Sequence, residues 1–271
     1  MTKPAGRPKR RQPGASETKG HGSSGRDGLG GGQVEGRRAV RELLRARCRG
    51  IRRVIMSTDL AADPLVDEIV ALAGDARVRI EYVSGVELEE LARTQAPQGV
   101  IAHAVPVVEA DVDTLLAHPR AFIVALDGVT DPGNLGAIIR TAESAGATGI
   151  VLPRHRAAGL SPAAVKAASG AIEYLSIGLV AGIPAFLDRA TRAGLWTVGL
   201  DERGTTSVFD LAVGEGPVVL VLGAEGRGLS RLARERCEVV AGIPMHGALD
   251  SLNVGAAAAV ACFEISRRRT P

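Results

Sequence analysis

Five side chains stand where apolar runs give way to loops: Asn134, Arg140, Glu225, Ser251 and Asn253. Two amides and a hydroxyl can orient a polar ligand, while a guanidinium can hold phosphate or developing negative charge. No acid–histidine pair stands out as a general base. His21, His103, His118, His155 and His246 are isolated from one another and read as surface or core histidines. Asn134 and Arg140 lie six positions apart on one expected helix. At 3.6 residues per turn that separates them by about 120° around the axis, so they can serve different ligands. Each residue also has an ordinary reading: Asn134, or Asp131 upstream, could cap that helix, and Ser251 could cap the last one.

These residues need elements to position them. Residues 218–222 form a continuous apolar run, as a strand buried on both faces would. Residues 223–228 then place three glycines around Glu225. A second apolar run, 239–243, stops at Pro244, and Ser251, Leu252 and Asn253 open an Ala-rich helix reaching about residue 268. Further upstream, 121–126 reads as a strand ending in the loop DGVTDPGN. A helix follows with Leu135, Ile138, Ile139 and Ala142 on one face. Strands at 150–152, 175–180 and 195–200 alternate with helices at 161–169 and 183–193. Six β segments with interleaved helices imply a mostly parallel α/β sheet covered on both faces, with ligands at the C-terminal strand edge.

The N-terminal half reads as a smaller α/β unit. Ala39, Val40, Leu43 and Leu44 recur at helical spacing, with Gly50 as the expected stop. Arg37, Arg38, Arg41, Arg45 and Arg47 take the other faces and could hold RNA phosphates or simply face solvent. Strands are expected at 53–56, 78–83 and 100–105, and helices at 64–73 and 87–93. Residues 1–32 hold almost no large apolar side chain and read as a disordered basic tail, with GLGGG at 28–32 as a flexible hinge. Acidic residues Glu109, Asp111 and Asp113 mark a boundary. The expected division is a tail at 1–32, a small domain at 33–106, a linker at 107–119 and a larger domain at 120–271.

Composition excludes several classes. Hydrophobic residues make up 45% of the chain and aromatics 3%, so the core must be aliphatic. No apolar run approaches the roughly 20 residues needed to cross a bilayer, and no apolar region follows the basic N-terminus as in a secretory signal. Cys48, Cys237 and Cys262 are far apart and form neither a metal spacing nor a disulfide framework, which fits a reducing cytoplasm. Residues 1–53 hold 15 Lys/Arg and 4 Asp/Glu, a net of +11, against 18 and 26, a net of −8, in the rest. That asymmetry suggests a polyanion partner or a solubilising tail. The loop after the first strand of the larger unit does not match GxGxxG, and the later GAEGRG has the wrong spacing. Neither a P-loop lysine nor a GxSxG nucleophile is present.

Three motifs occur in order: NLGAIIRTAESAGATGIVLP from Asn134, VLVLGAEGRGLSRL around Glu225, and IPMHGALDSLNVGAAAA from Ile243. In these motifs the chain resembles the SpoU (TrmH-like) family of RNA ribose 2′-O-methyltransferases, in the SPOUT class. The resemblance spans about residues 33–268, and LDGVTDPGNLGAIIRTAE looks closest to bacterial 23S rRNA guanosine-2′-O-methyltransferases. The segment from EGRRAVRELL resembles the L30e-like substrate-binding domain that precedes the catalytic domain in many members.

The resemblance implies a C-terminal trefoil knot holding S-adenosylmethionine, a homodimer, an RNA partner and no metal. It carries cofactor contact onto Gly223, Ile243 and Leu252, with Met245 and Gly228 beside them. The catalytic set it carries over is Asn134, Arg140, Glu225, Ser251 and Asn253, with Arg37, Arg38 and Arg41 as RNA contacts. In the family the arginine is the proposed activator. A guanidinium with a pKa above about 12 is a poor base, so Arg140 is read here as binding the target phosphate and stabilising alkoxide charge. Glu225 is expected to hold a knot loop or Arg140. Gly255 departs from the pattern, where many members carry serine. A tRNA substrate, a non-catalytic RNA-binding assembly factor and a nucleotide-dependent oxidoreductase are the alternatives.

Overall fold

A computed structural model describes residues 28–155 and 157–269. His21 and the first 27 residues of the expected tail lie outside the described residues. The N-terminal unit runs β1 (Gln33–Glu35), α1 (Arg37–Ala46), β2 (Ile51–Ser57), α2 (Pro64–Asp75), β3 (Ile80–Val83), α3 (Gly85–Leu91) and β4 (Val100–Ala104). Its sheet has the order β1-β4-β2-β3, with β4 antiparallel to both neighbours and β2 parallel to β3. Helix α1 forms because Ala39, Val40, Leu43 and Leu44 bury one stripe. It ends before the expected glycine. Arg47 adopts the left-handed conformation at φ 51° and its N–H bonds Leu43 O, so Gly50 plays no part in the stop. An arginine in that conformation departs from the usual glycine.

The larger unit continues with α4 (Val112–Leu116), β5 (Phe122–Asp127), α5 (Pro132–Ser144), β6 (Gly149–Pro153), α6 (Pro162–Ala168), β7 (Ser176–Val180) and α7 (Ile183–Arg192). Then come β8 (Trp196–Leu200), β9 (Thr206–Ser207), β10 (Val218–Gly223), α8 (Arg231–Arg236), β11 (Val239–Gly242) and α9 (Val254–Arg269). Its seven strands have the order β7-β6-β5-β10-β8-β11-β9, with every pairing parallel. Alternation along the central strands divides the core. Phe122, Val124 and Leu126 of β5 face α5, α6 and α9, while Ile123 and Ala125 face α4 and α7. Buried on both sides, these strands show no polar alternation in sequence, as expected of a parallel sheet.

Two expectations about connections change. The acidic segment expected as a linker contains α4. Asp111 caps it by accepting the N–H groups of Asp113 and Thr114, and Val112, Leu115 and Leu116 are buried. The acids that looked like a solvated spacer thus include a helix cap. The glycine run at 28–32, expected as a hinge, is held on two sides. Leu29 N donates to Val107 O at 2.9 Å, and Gly31 N donates to Leu160 O at 2.8 Å.

The two units are joined by more than chain. Arg49 meets Glu173 through two parallel bonds of 2.9 and 2.6 Å, with their side chains 7% and 1% exposed. The same guanidinium donates to Gly31 O and Val105 O, both at 2.7 Å. Tyr174 Oη donates to Glu42 at 2.7 Å, and Lys166 Nζ donates to Ala96 O at 2.6 Å. Burial, then the Glu42 carboxylate, pushes the Tyr174 hydroxyl pKa up to about 12. One apolar core runs continuously from Val34 and Leu43 in the first unit to Leu135 and Val165 in the second.

Helix α5 carries Asn134 and Arg140, so its seating matters. Gly136 lets it approach α6: an added Cβ would lie under 3.0 Å from Ala164 O and Ala167 Cβ. Gly136→Ala gains about 1 kcal/mol of helix propensity. Overpacking against backbone costs about 1–3 kcal/mol and wins, so urea unfolding should show net destabilisation. Glu173→Ala leaves Arg49 buried without its carboxylate. It should lower stability by about 3–5 kcal/mol in the same measurement.

Candidate active site

The C-terminal ends of β5, β8, β10 and β11 lie along one edge of the larger sheet. Register pairs Gly223 with Asp127 and Leu222 with both Leu126 and Leu200. A cavity of about 360 Å³ opens there, within the usual range for small-molecule sites. All five expected cofactor positions line it: Gly223, Gly228, Ile243, Met245 and Leu252. Leu200, Leu222, Val254 and Ala257 complete the apolar wall.

The glycine pattern has a steric cause. A Cβ at Gly223 would lie under 3.0 Å from the Gly228 backbone, so the loop returns directly onto the strand end. Ala224 and Gly228 close the turn with reciprocal backbone bonds of 3.0 and 2.9 Å. Gly226 and Gly228 take φ of 70° and 64°, where side chains are disfavoured.

Above the cavity three distant segments meet. Asn134 Nδ2 donates to Glu225 Oε1 at 2.8 Å, and Asn253 Nδ2 donates to the same oxygen at 2.6 Å. Asn253 Nδ2 also lies 3.0 Å from Asn134 Oδ1. One residue from each sequence motif therefore forms a closed triangle. Asp131, not Asn134, caps α5, accepting the Asn134 N–H at 2.7 Å. This frees the Asn134 amide for the triangle. Asn253 caps α9 by accepting the Gly255 N–H at 2.8 Å, so Ser251 does not. A Cβ at Gly255 would sit 3.1 Å from Asn253 Oδ1 and 3.3 Å from Ala137 Cβ, a tight fit for any larger residue.

Two of the five polar residues stand outside the triangle. Ser251 lines the cavity, and its Oγ donates to Asp250 at 3.4 Å. Arg140 is exposed and makes no hydrogen bond or ion pair among the described residues. Of the two expected roles for Glu225, holding a knot loop or holding Arg140, the bonds to the two asparagines match the first. Of the three expected RNA contacts, Arg37 bonds Gln98 and pairs with Asp63, and Arg41 pairs with Glu42 and Glu68. Arg38 is exposed. Arg37 and Arg41 are thus committed within the small unit, because α2 brings acids opposite α1.

Sequence reasoning missed Asp201 and Glu202, which also line the cavity. Their signal was an acid pair directly after a buried strand. Asp201 Oδ2 accepts from Leu229 N and Arg234 Nη2, each at 3.0 Å, and Oδ1 accepts from Arg203 N at 3.0 Å. Burial opposes ionisation, but these bonds and the Arg234 charge more than offset it and hold the carboxyl below its ordinary pKa.

The donor set can be tested against a sulfonium nucleoside. Glu202, Glu225 and Asp250 line the cavity beside Asp201, whose carboxylate is already neutralised by Arg234, and no lysine or arginine lines it among the described residues. Such a lining favours a cationic centre. The apolar walls suit a purine and a thioether chain. The residues present fit S-adenosylmethionine.

Comparison with known proteins agrees with this geometry. The SpoU rRNA Methylase family profile matches residues 121–263, and the profile for RNA 2'-O ribose methyltransferase substrate binding matches residues 33–108. A Pseudomonas aeruginosa protein named 23S rRNA (guanosine-2'-O-)-methyltransferase RlmB is 37% identical over 244 residues, covering 88% of this chain and 97% of its own. An uncharacterized tRNA/rRNA methyltransferase of Mycolicibacterium vanbaalenii is 38% identical over 243 residues, 87% of this chain and 76% of its own. Among solved structures, the SpoU methyltransferase AviRb from Streptomyces viridochromogenes, in complex with AdoMet, superposes with a TM-score of 0.72 at 28% identity. That match covers 88% of this chain and 90% of that one. With the first profile matching more than half of the residues and the RlmB relative 37% identical over 88% of the chain, the chain belongs to the SpoU rRNA methylase family.

Proposed function

We propose that this protein transfers a methyl group from S-adenosylmethionine to the ribose 2′-hydroxyl of a guanosine in 23S rRNA. The observation that carries this reading is the carboxylate-lined cavity roofed by the Asn134–Glu225–Asn253 triangle, with a free Arg140 on the same helix as Asn134. When bound, the cofactor supplies a methyl on a sulfonium, already electrophilic without a metal. Gly223, Gly228, Ile243, Met245 and Leu252 form its walls, in the loops we read as the trefoil crossing. Asn134, Ser251 and Asn253 orient the ribose and the methionine end of the cofactor, and Glu225 fixes both asparagines. Positioning of this kind supplies much of the rate enhancement in a transfer reaction. Arg140 binds the target phosphate and stabilises the charge that builds on O2′ as its proton leaves to water.

Residues 33–106 capture RNA and residues 120–271 perform transfer in this reading, with Arg38 the free member of the α1 arginines. A homodimer in the cytoplasm completes it. Phe263 on α9 and Leu249 in the cavity loop, 51% and 77% exposed, supply apolar surface for a second copy. Among the described residues no helix is long and apolar enough to cross a membrane.

In vitro transcribed 23S rRNA and tRNA, incubated with labelled cofactor and mapped for ribose methylation, should show one methylated guanosine in the rRNA. Label on tRNA instead would reassign the substrate, and cofactor binding with no transfer to either would remove the enzymatic reading. Arg140→Ala should lower kcat by about 10²–10³, as loss of one charge-stabilising donor does elsewhere, with cofactor Kd unchanged by calorimetry. Glu225→Gln should weaken both cofactor binding and transfer. It replaces an anionic acceptor shared by two amides, worth about 1.5–3 kcal/mol per charged bond before solvent screening.

A further inference from the structure

The loop from Gly223 to Leu229 is attached at two points. Glu225 ties one end to Asn134 and Asn253. The other end is tied by Asp201, whose side chain is 1% exposed. Its Oδ2 takes the Leu229 N–H and one Arg234 nitrogen, while Arg234 Nη2 also reaches Leu229 O at 3.3 Å. Carboxylate and guanidinium thus grip both backbone groups of one residue. The fit leaves no slack, since a Cβ at Gly228 would lie 2.5 Å from Asp201 Oδ2.

The clamp is not arranged for stability alone. Arg234 Nε is the single buried side-chain nitrogen or oxygen without a partner among the described residues. An orphaned buried donor costs free energy. An apolar residue here would avoid that cost but would leave the buried Asp201 carboxylate without its cation, so what matters is what the arginine's other nitrogen does. What it does is fix the wall of the cavity, which Asp201 and Gly228 both line.

We propose that Asp201 is a positioning residue for cofactor binding. Clamped by Arg234, it sets the backbone path of 228–229 and so the shape of the nucleoside wall, while Glu225 independently sets the methyl-transfer end. The proposal rests on S-adenosylmethionine being the occupant.

Asp201→Asn keeps the size and one acceptor oxygen but removes the charge that draws Arg234 in. In the full-length protein, calorimetry and steady-state kinetics should show Kd and KM for S-adenosylmethionine raised about tenfold. KM for RNA should be unchanged, and kcat at saturating cofactor should stay within about threefold of the parent. Arg234→Met should reproduce this pattern, and Arg234→Lys should restore most of the affinity. A merely structural role predicts the opposite split, with a lowered melting temperature and active fraction at unchanged KM, and that result would overturn the proposal. So would unchanged cofactor affinity in both Asp201→Asn and Arg234→Met. If the parent protein itself binds no S-adenosylmethionine, the functional reading fails first, and the two failures are distinct.

Discussion

The geometry of the site converges on one carboxylate oxygen, Glu225 Oε1, which accepts an amide from each of two helices. The partners lie 91 and 28 positions away in sequence. An exposed hydrogen bond of this kind contributes only about 1 kcal/mol after solvent competition. It cannot by itself hold α5 and α9 together. Their seating comes from the apolar stripes of Leu135, Ile138 and Ile139 and of Ala258, Ala261 and Ile265, which bury against the same sheet face. Packing therefore places the two asparagines, and the carboxylate selects among the rotamers that packing leaves open. The division explains how a site so exposed can still be well defined.

Electrostatics sorts the molecule in the same way. Acids line the cavity, while most arginines elsewhere are neutralised in pairs such as Arg236–Asp188 and Arg231–Glu235. Arg140 is one of several arginines without an ion-pair partner among the described residues, and it stands on the helix that also supplies Asn134. A cationic cofactor and an anionic substrate need opposite surroundings. The cavity lining is acidic, and Arg140, six residues along the chain from Asn134, is exposed.

Much of this was legible in sequence. The buried stripe of α5 and the strands at the ligand edge follow from apolar runs, and the five positions that the family resemblance marked for cofactor contact all line the cavity. What escaped was set by contacts between distant segments. Arg37 and Arg41 read as free cations because nothing local reveals that α2 brings Asp63 and Glu68 against them. The glycines at 28–32 read as a hinge because their backbone partners, Val107 and Leu160, lie far along the chain. Ser251 and Asn253 are both good caps by residue type, and only the observed helix start chooses Asn253. Asp201 was invisible for a different reason. An acid pair after a strand matches no motif, and the role of Asp201 follows from a loop that begins over twenty residues later.

The strand order carries a consequence for how the chain reaches this state. β10 sits in the middle of the sheet, between β5 and β8, yet it follows both in sequence. Until residues 218–223 are available, the edges of β5 and β8 that will face one another have no partner. Unpaired apolar strand edges invite association with other chains, and distant parallel pairings form slowly. During vectorial synthesis the half-built sheet therefore passes through an interval with both edges open. The stretch that closes it is the strand whose last residue, Gly223, begins the cofactor loop, so the same short segment ends the period of greatest aggregation risk and completes the binding cavity.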